Sequence, residues 1–150
     1  MNYYSLHNNS HTVSFEEAVI QGIAPDRGLY FPERIPELPA SFWNSIESLS
    51  NLEIARNVMK YYVGDSLSVA TLDSILEDVL SFDFPLRVLT KNTAVLELFH
   101  GPTMAFKDVG ARFMARCLSN FLDRSSQEYE ITVLVATSGD TGGAVARGFY

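Results

Sequence analysis

Cysteine is nearly absent: one, Cys117, in 150 residues, so no internal disulfide can form. That suits a reducing compartment, and a cytoplasmic protein is the default expectation. Basic residues are also scarce, with 11 Lys and Arg against 18 Asp and Glu and a formal net charge of −7. Nucleic acid is thereby excluded as a main partner, because phosphate binding needs clustered cations. No apolar stretch is long enough to span a bilayer, and the start, Met-Asn-Tyr-Tyr-Ser-Leu-His, has neither the basic residues nor the apolar run of a signal peptide. No membrane partner is expected. Repeats and low-complexity tracts are missing too. What remains is ordinary globular material, 47% hydrophobic and 19% charged, of one-domain length.

The first half reads as short elements followed by helices. Ser14 to Gln21 is helix-like, with Ser14 as cap, Glu17 three residues on, and Gly22 as the stop. Gly28 to Pro32 reads as a short strand ended by proline, and Pro32, Pro36 and Pro39 make an extended connector. Helical spacing recurs over about 41–49, 51–63 and 68–80. Trp43 and the many Tyr and Phe residues are read as core.

The texture changes near Phe82. Arg87 to Thr90 and Ala94 to Phe99 read as strands. Asp108 to Leu122 reads as a helix whose apolar stripe is Val109, Phe113, Met114, Cys117, Leu118, Phe121 and Leu122. Cys117 is then a small buried hydrophobe. Arg112 and Arg116, one turn apart on the other face, are assigned to a solvated surface. Ile131 to Thr137 is almost continuously apolar, which suits a strand buried on both faces of a parallel sheet, and Ala144 to Tyr150 starts another helix. The order β-α-β-α predicts an open α/β sheet. The expected domains are 1–84, small and mostly helical, and 85–150, the first part of an α/β domain. Apolar residues at the end and too few strands for a covered sheet suggest an N-terminal piece of something larger.

Two segments carry chemistry. In His100-Gly-Pro-Thr-Met-Ala-Phe-Lys107-Asp108, a lysine follows a turn and opens a helix. In apolar surroundings the charged form of a lysine is disfavoured, and the free amine can attack a carbonyl to form a Schiff base. The plainer reading is a snorkelling surface lysine. Gly101-Pro102 sets a turn, while Gly110 and Ala111 leave room for a flat ligand. Asp108 is read as a helix-start residue, and His100 as a hydrogen-bonded structural histidine.

In Thr137-Ser-Gly-Asp-Thr-Gly-Gly143, a polar glycine turn joins a strand to a helix start, where backbone N–H groups and the helix dipole favour an anion. Ser138 and Thr141 add hydroxyls. The alternative is a plain strand-to-helix turn. No Gly-Lys-Ser/Thr and no Gly-x-Gly-x-x-Gly is present, so neither nucleotide-binding loop is indicated. Asp140 would repel an anion, and so either helps start the helix or touches another part of the ligand. His7 and His11 lack a third ligand and flank a turn-forming Asn8-Asn9-Ser10, so no metal site is expected.

At these two segments the chain resembles the threonine synthase family, pyridoxal-phosphate enzymes of the tryptophan-synthase-β-like fold (fold type II). Phe99 to Asp108 is similar to the family's cofactor-lysine segment, and Ala136 to Gly142 to its substrate-binding loop. Ser14-Phe15 and Gly28 to Pro32 resemble the family's small N-terminal domain, so the likeness spans essentially all 150 residues. The resemblance implies that Lys107 carries pyridoxal 5'-phosphate as a Schiff base and moves protons at the substrate. It implies that Thr137, Ser138, Gly139 and Thr141 hold the substrate carboxylate. Asp140 stands where sister enzymes commonly carry asparagine near the cofactor's phenolic oxygen. The implied reaction is that of a carbon–oxygen lyase acting on phosphate: O-phospho-L-homoserine and water give L-threonine and phosphate. The family's cofactor-phosphate loop and the group facing the pyridine nitrogen lie beyond residue 150, so the isolated chain is expected to bind cofactor poorly and to show no turnover. Two other readings stay open: a related pyridoxal-phosphate lyase with another amino-acid substrate, and a non-catalytic interaction fragment with no dependence on Lys107.

Overall fold

The computed structural model describes residues 1–8, 11–125 and 131–150. The chain divides into two compact units, Met1–Glu77 and Asp78–Tyr150. Both mix helix and strand.

The first unit is built on a three-stranded antiparallel sheet. Strand β1 (Asn2–Ser5) lies between β2 (Thr12–Ser14) and β3 (Tyr30–Pro32), with Tyr3 opposite both Val13 and Pro32. Tyr3 and Val13 are buried together with Ala18, and Met1, Phe15 and Tyr30 pack around them. The Tyr3 hydroxyl donates to the Tyr62 carbonyl at 2.9 Å. Burial, with a smaller push from Tyr62, raises its pKa to about 12, so the bond is kept at any ordinary pH.

Helix α1 (Phe15–Gln21) starts where the sequence predicts. Ser14 Oγ accepts the Glu17 N–H, Glu17 reaches back to the Ser14 N–H, and Gly22 ends the helix at φ 68°. The expected helix at 41–49 divides into α2 (Ala40–Ser45) and a single 3₁₀ turn, Ile46–Ser48. Phe42 is buried there, whereas Trp43, expected in the core, is 57% exposed with Phe42 edge-on at 5.2 Å. Their adjacency in one short helix sends them to different faces. Helix α3 (Asn51–Val63) repeats the α1 device with Ser50 and Glu53. Helix α4 (Val69–Val79) begins with Ser68 Oγ accepting the Thr71 N–H. Arg56 of α3 pairs with Asp73 of α4.

In the second unit, β4 (Leu86–Thr90) and β5 (Thr93–Leu96) form an antiparallel hairpin, with Leu86 opposite Leu96 and an irregularity near Val88. Two residues separate them, a link that permits only antiparallel neighbours. The strand expected to reach Phe99 stops at Leu96, and residues 131–137 form no strand. The sheet is therefore not parallel among the described residues. A strand apolar on both faces needs neighbours on both edges, and no described segment pairs with 131–137; Leu134 is accordingly 89% exposed.

Helix α5 (Lys107–Arg124) packs on α6 (Asp140–Phe149). Its buried residues are Asp108, Ala111, Ala115, Cys117, Leu118 and Phe121; Val109, Phe113, Met114 and Leu122 of the expected stripe are not among them. The two helices approach closely at Gly148, where a Cβ would stand 3.2 Å from the Ala111 carbonyl carbon and oxygen. Arg112 and Arg116, expected to be solvated, both donate to Asp78 at 2.9 and 3.0 Å, and Arg116 also donates to the Gly148 carbonyl at 3.2 Å. Cys117 is buried as predicted, and desolvation pushes its thiol up to about 12.

Candidate active site

Lys107 is the first residue of α5, and its Nζ lies 4.1 Å from the centre of the Phe106 ring. It lines an open pocket of about 370 Å³ with Phe106, Gly110, Ala111, Met114, Thr141 and Val145. The small residues Gly110 and Ala111 follow Lys107 by one helical turn, so the pocket floor lies beside the amine. The pocket thus joins the start of α5 to the start of α6.

The segment before Lys107 is tightly laced. The Met104 N–H donates to the Gly101 carbonyl at 3.0 Å, and the Asp108 N–H donates to the Ala105 carbonyl at 3.1 Å. Met104 itself is left-handed, at φ 58°. Asp108 does more than mark a helix start. It is 1% exposed, and its carboxylate turns back to accept the Thr103 N–H at 3.0 Å and the Thr103 hydroxyl at 2.6 Å. Sequence spacing alone gave no sign of this clamp, because an acid in the first turn of a helix already has a sufficient explanation. His100 behaves as expected: its Nε2 lies 2.7 Å from Glu97 Oε2, and its ring stacks on Phe99 at 4.8 Å.

The second segment is a turn closed by its own side chain. Gly139, at φ 146°, donates its N–H to Thr137 Oγ1 at 3.3 Å, and α6 follows at once. The Gly143 N–H donates to the Gly139 carbonyl at 2.9 Å. A Cβ at Gly142 would fall 2.6 Å from the Thr137 methyl, so a side chain there would have to displace Thr137. Thr141 faces the pocket of Lys107; Ser138 and Asp140 are exposed on the same turn and are not among the pocket's lining residues. No side chain caps α6.

The arrangement offers an amine at the rim of a mostly apolar pocket, a small-residue floor, and a hydroxyl and helix start across from it. His11, by contrast, lines a separate pocket of about 300 Å³ in the first unit with Ser5, Ala24, Pro25, Asp26 and Tyr30. The Asp26 carboxylate there is engaged by Ser5 and the Gly28 N–H. Asn9 and Ser10, part of the turn expected between His7 and His11, lie outside the described residues. Among the described residues no helix is long and apolar enough to cross a membrane.

The family model described as threonine synthase N terminus matches residues 2–80, just over half of the chain. Threonine synthase of Haemophilus influenzae is 42% identical over 150 residues, covering all of this chain and 34% of the relative. That of Escherichia coli is 36% identical over 150 residues, with the same coverage. The crystal structure of the Escherichia coli threonine synthase matches with a TM-score of 0.91 over 100% of this chain and 34% of that one. A PLP-bound threonine synthase from Brucella melitensis matches with a TM-score of 0.90 at 34% identity, covering 99% of this chain and 33% of that one. The chain spans about a third of the length of these relatives.

Proposed function

Since the chain belongs to the threonine synthase N-terminal family, we propose that it supplies the lysine-bearing part of a cytoplasmic, pyridoxal-phosphate-dependent threonine synthase. Residues 1–84 would be the small domain, and 85–150 the first part of an open parallel-sheet cofactor domain of fold type II. The observation that carries the reading is the shared pocket of Lys107 and Thr141, which unites the two segments that the sequence marks as chemical.

The residues present fit the cofactor. An aldehyde-bearing ring needs an amine at its edge and a flat, apolar bed, and Lys107 with Gly110 and Ala111 provides both. Asp140, exposed at the first position of α6 and outside the lining of that pocket, would contact the cofactor's phenolic oxygen on the strength of the family resemblance alone. When bound, the cofactor supplies an electron sink for charge developing on the substrate's α carbon.

Lys107 would hold the cofactor in the resting state, and its Nζ, once free, would be the base that moves protons at the substrate's α and β carbons. Phosphate leaves from the γ carbon of O-phospho-L-homoserine, a proton takes its place there to give the methyl group, and the hydroxyl of water adds at the β carbon in place of the proton removed from it. The turn around Gly139 binds the substrate carboxylate through the backbone N–H groups of the α6 start and the hydroxyls of Thr137, Ser138 and Thr141. These groups carry fixed partial positive charge, so they orient the carboxylate without a cation.

The test is threonine formation from O-phospho-L-homoserine by the complete polypeptide carrying this segment, with cofactor added. Borohydride reduction should fix the cofactor on Lys107, located by peptide mass mapping. Turnover that survives Lys107→Ala, or a label on another lysine, would overturn the reading. A related lyase would show the label on Lys107 and no threonine.

A further inference from the structure

We infer that Asp108 is a positioning residue for the Lys107 amine, acting through the turn at residues 101–106; the inference rests on the role proposed for Lys107. Lys107 occupies a vulnerable place. It is the first residue of its helix, no side chain caps that helix, and the preceding turn contains Met104 in the left-handed region. Helix ends fray unless something outside the helix holds them.

Asp108 is what holds this one. A carboxylate buried to 1% exposure is stable only when its oxygens are hydrogen-bonded, and both are: Oδ1 to the Thr103 hydroxyl and Oδ2 to the Thr103 N–H. The ring closed by these bonds spans residues 103–108 and contains Lys107. Rotation of the Lys107 backbone would break two charge-assisted bonds at once. Gly101 completes the device by leaving space. A Cβ there would lie 2.4 Å from Asp108 Oδ2 and 2.9 Å from its Cβ, so any side chain would push the carboxylate off Thr103. One clamp thereby ties the turn, the strained Met104 and the amine into a single geometry.

The experiment uses the complete polypeptide and reads cofactor binding by the absorbance of the Schiff base, together with its pH profile and thermal unfolding. Thr103→Val removes the hydroxyl and keeps the N–H; Thr103→Ser keeps both; Gly101→Ala intrudes on the carboxylate. A hydrogen bond to a charged group is worth roughly 10- to 100-fold in an equilibrium constant. Thr103→Val and Gly101→Ala, by releasing the amine from its held geometry, should therefore weaken cofactor binding by about tenfold or more, and Thr103→Ser should stay within about twofold of wild type. Two variants losing the same property by different routes, with rescue by serine, would support positioning. Equal cofactor affinity in all of them, with only the unfolding temperature lowered, would overturn it while leaving Lys107 as the cofactor lysine. If the wild-type cofactor is trapped on a different lysine, the proposed function falls, and this inference with it.

Discussion

Three of the four α-helices of the first unit start differently from the two described in the second; α2, behind Pro39, has no side-chain cap. In the first unit α1, α3 and α4 each begin with a serine whose hydroxyl accepts a backbone N–H one turn on. In the second unit neither α5 nor α6 has a side-chain cap, and the acid in the first turn of α5 is turned backwards onto Thr103. A cap satisfies backbone donors internally and stabilises the helix by about 1 kcal/mol. Leaving it out gives up that stability and keeps the donors for something else. The first unit is organised for folding; the second leaves its helix starts bare where Lys107 and Thr141 meet.

Lys107→Ala presses the contrast hardest. It should lower turnover by about 10²- to 10⁴-fold, the usual worth of a positioned proton carrier, while urea unfolding shifts little. Gly148→Leu attacks the packing of α5 on α6. With backbone atoms 3.2 Å from a modest Cβ, a leucine should destabilise by about 3 kcal/mol, read as a lower urea midpoint.

Asp78→Asn gives a smaller, pH-dependent effect. Burial alone would raise the Asp78 carboxyl, but the hydrogen bonds and charges of Arg112 and Arg116 outweigh it and hold the pKa below the ordinary carboxylate value. A group depressed in this way stabilises the fold above its unfolded pKa, about 3.9, and loses that contribution as pH falls through the folded value. The asparagine variant should lose about 1 kcal/mol near neutrality, a figure reduced for solvent screening because the Asp78 side chain is 37% exposed, and should show a flatter acid limb below about pH 4. The smallest effect belongs to the first unit: Ser50→Ala should cost about 0.5–1 kcal/mol in thermal unfolding and leave cofactor affinity unchanged. A change in affinity there would dissolve the distinction between the units.

Local signals were legible in the sequence and distant ones were not. The Ser14–Glu17 box and the Gly22 stop name one helix completely, because every atom involved lies within one or two turns. Strand β1 carries no local signal: four residues acquire meaning only when Val13 and Phe31 come alongside from elsewhere in the chain. The hairpin was half legible, since Arg87 to Thr90 and Ala94 onward read as strands, but their order suggested a parallel sheet that these residues do not form. In the site, Lys107 and Thr141 stood out by residue type and context. Asp108 did not, because its partner Thr103 lies upstream, across the turn and outside the helix pattern. The Arg112 and Arg116 pairing with Asp78 was hidden in the same way, by sequence separation.

Cys117 has a practical consequence. As the chain's one thiol, fully enclosed and with its ionisation suppressed, it can meet an alkylating reagent only when α5 opens. The rate of modification under native conditions is then a clock for that opening, built into the helix that begins with Lys107. It needs no introduced probe within these 150 residues.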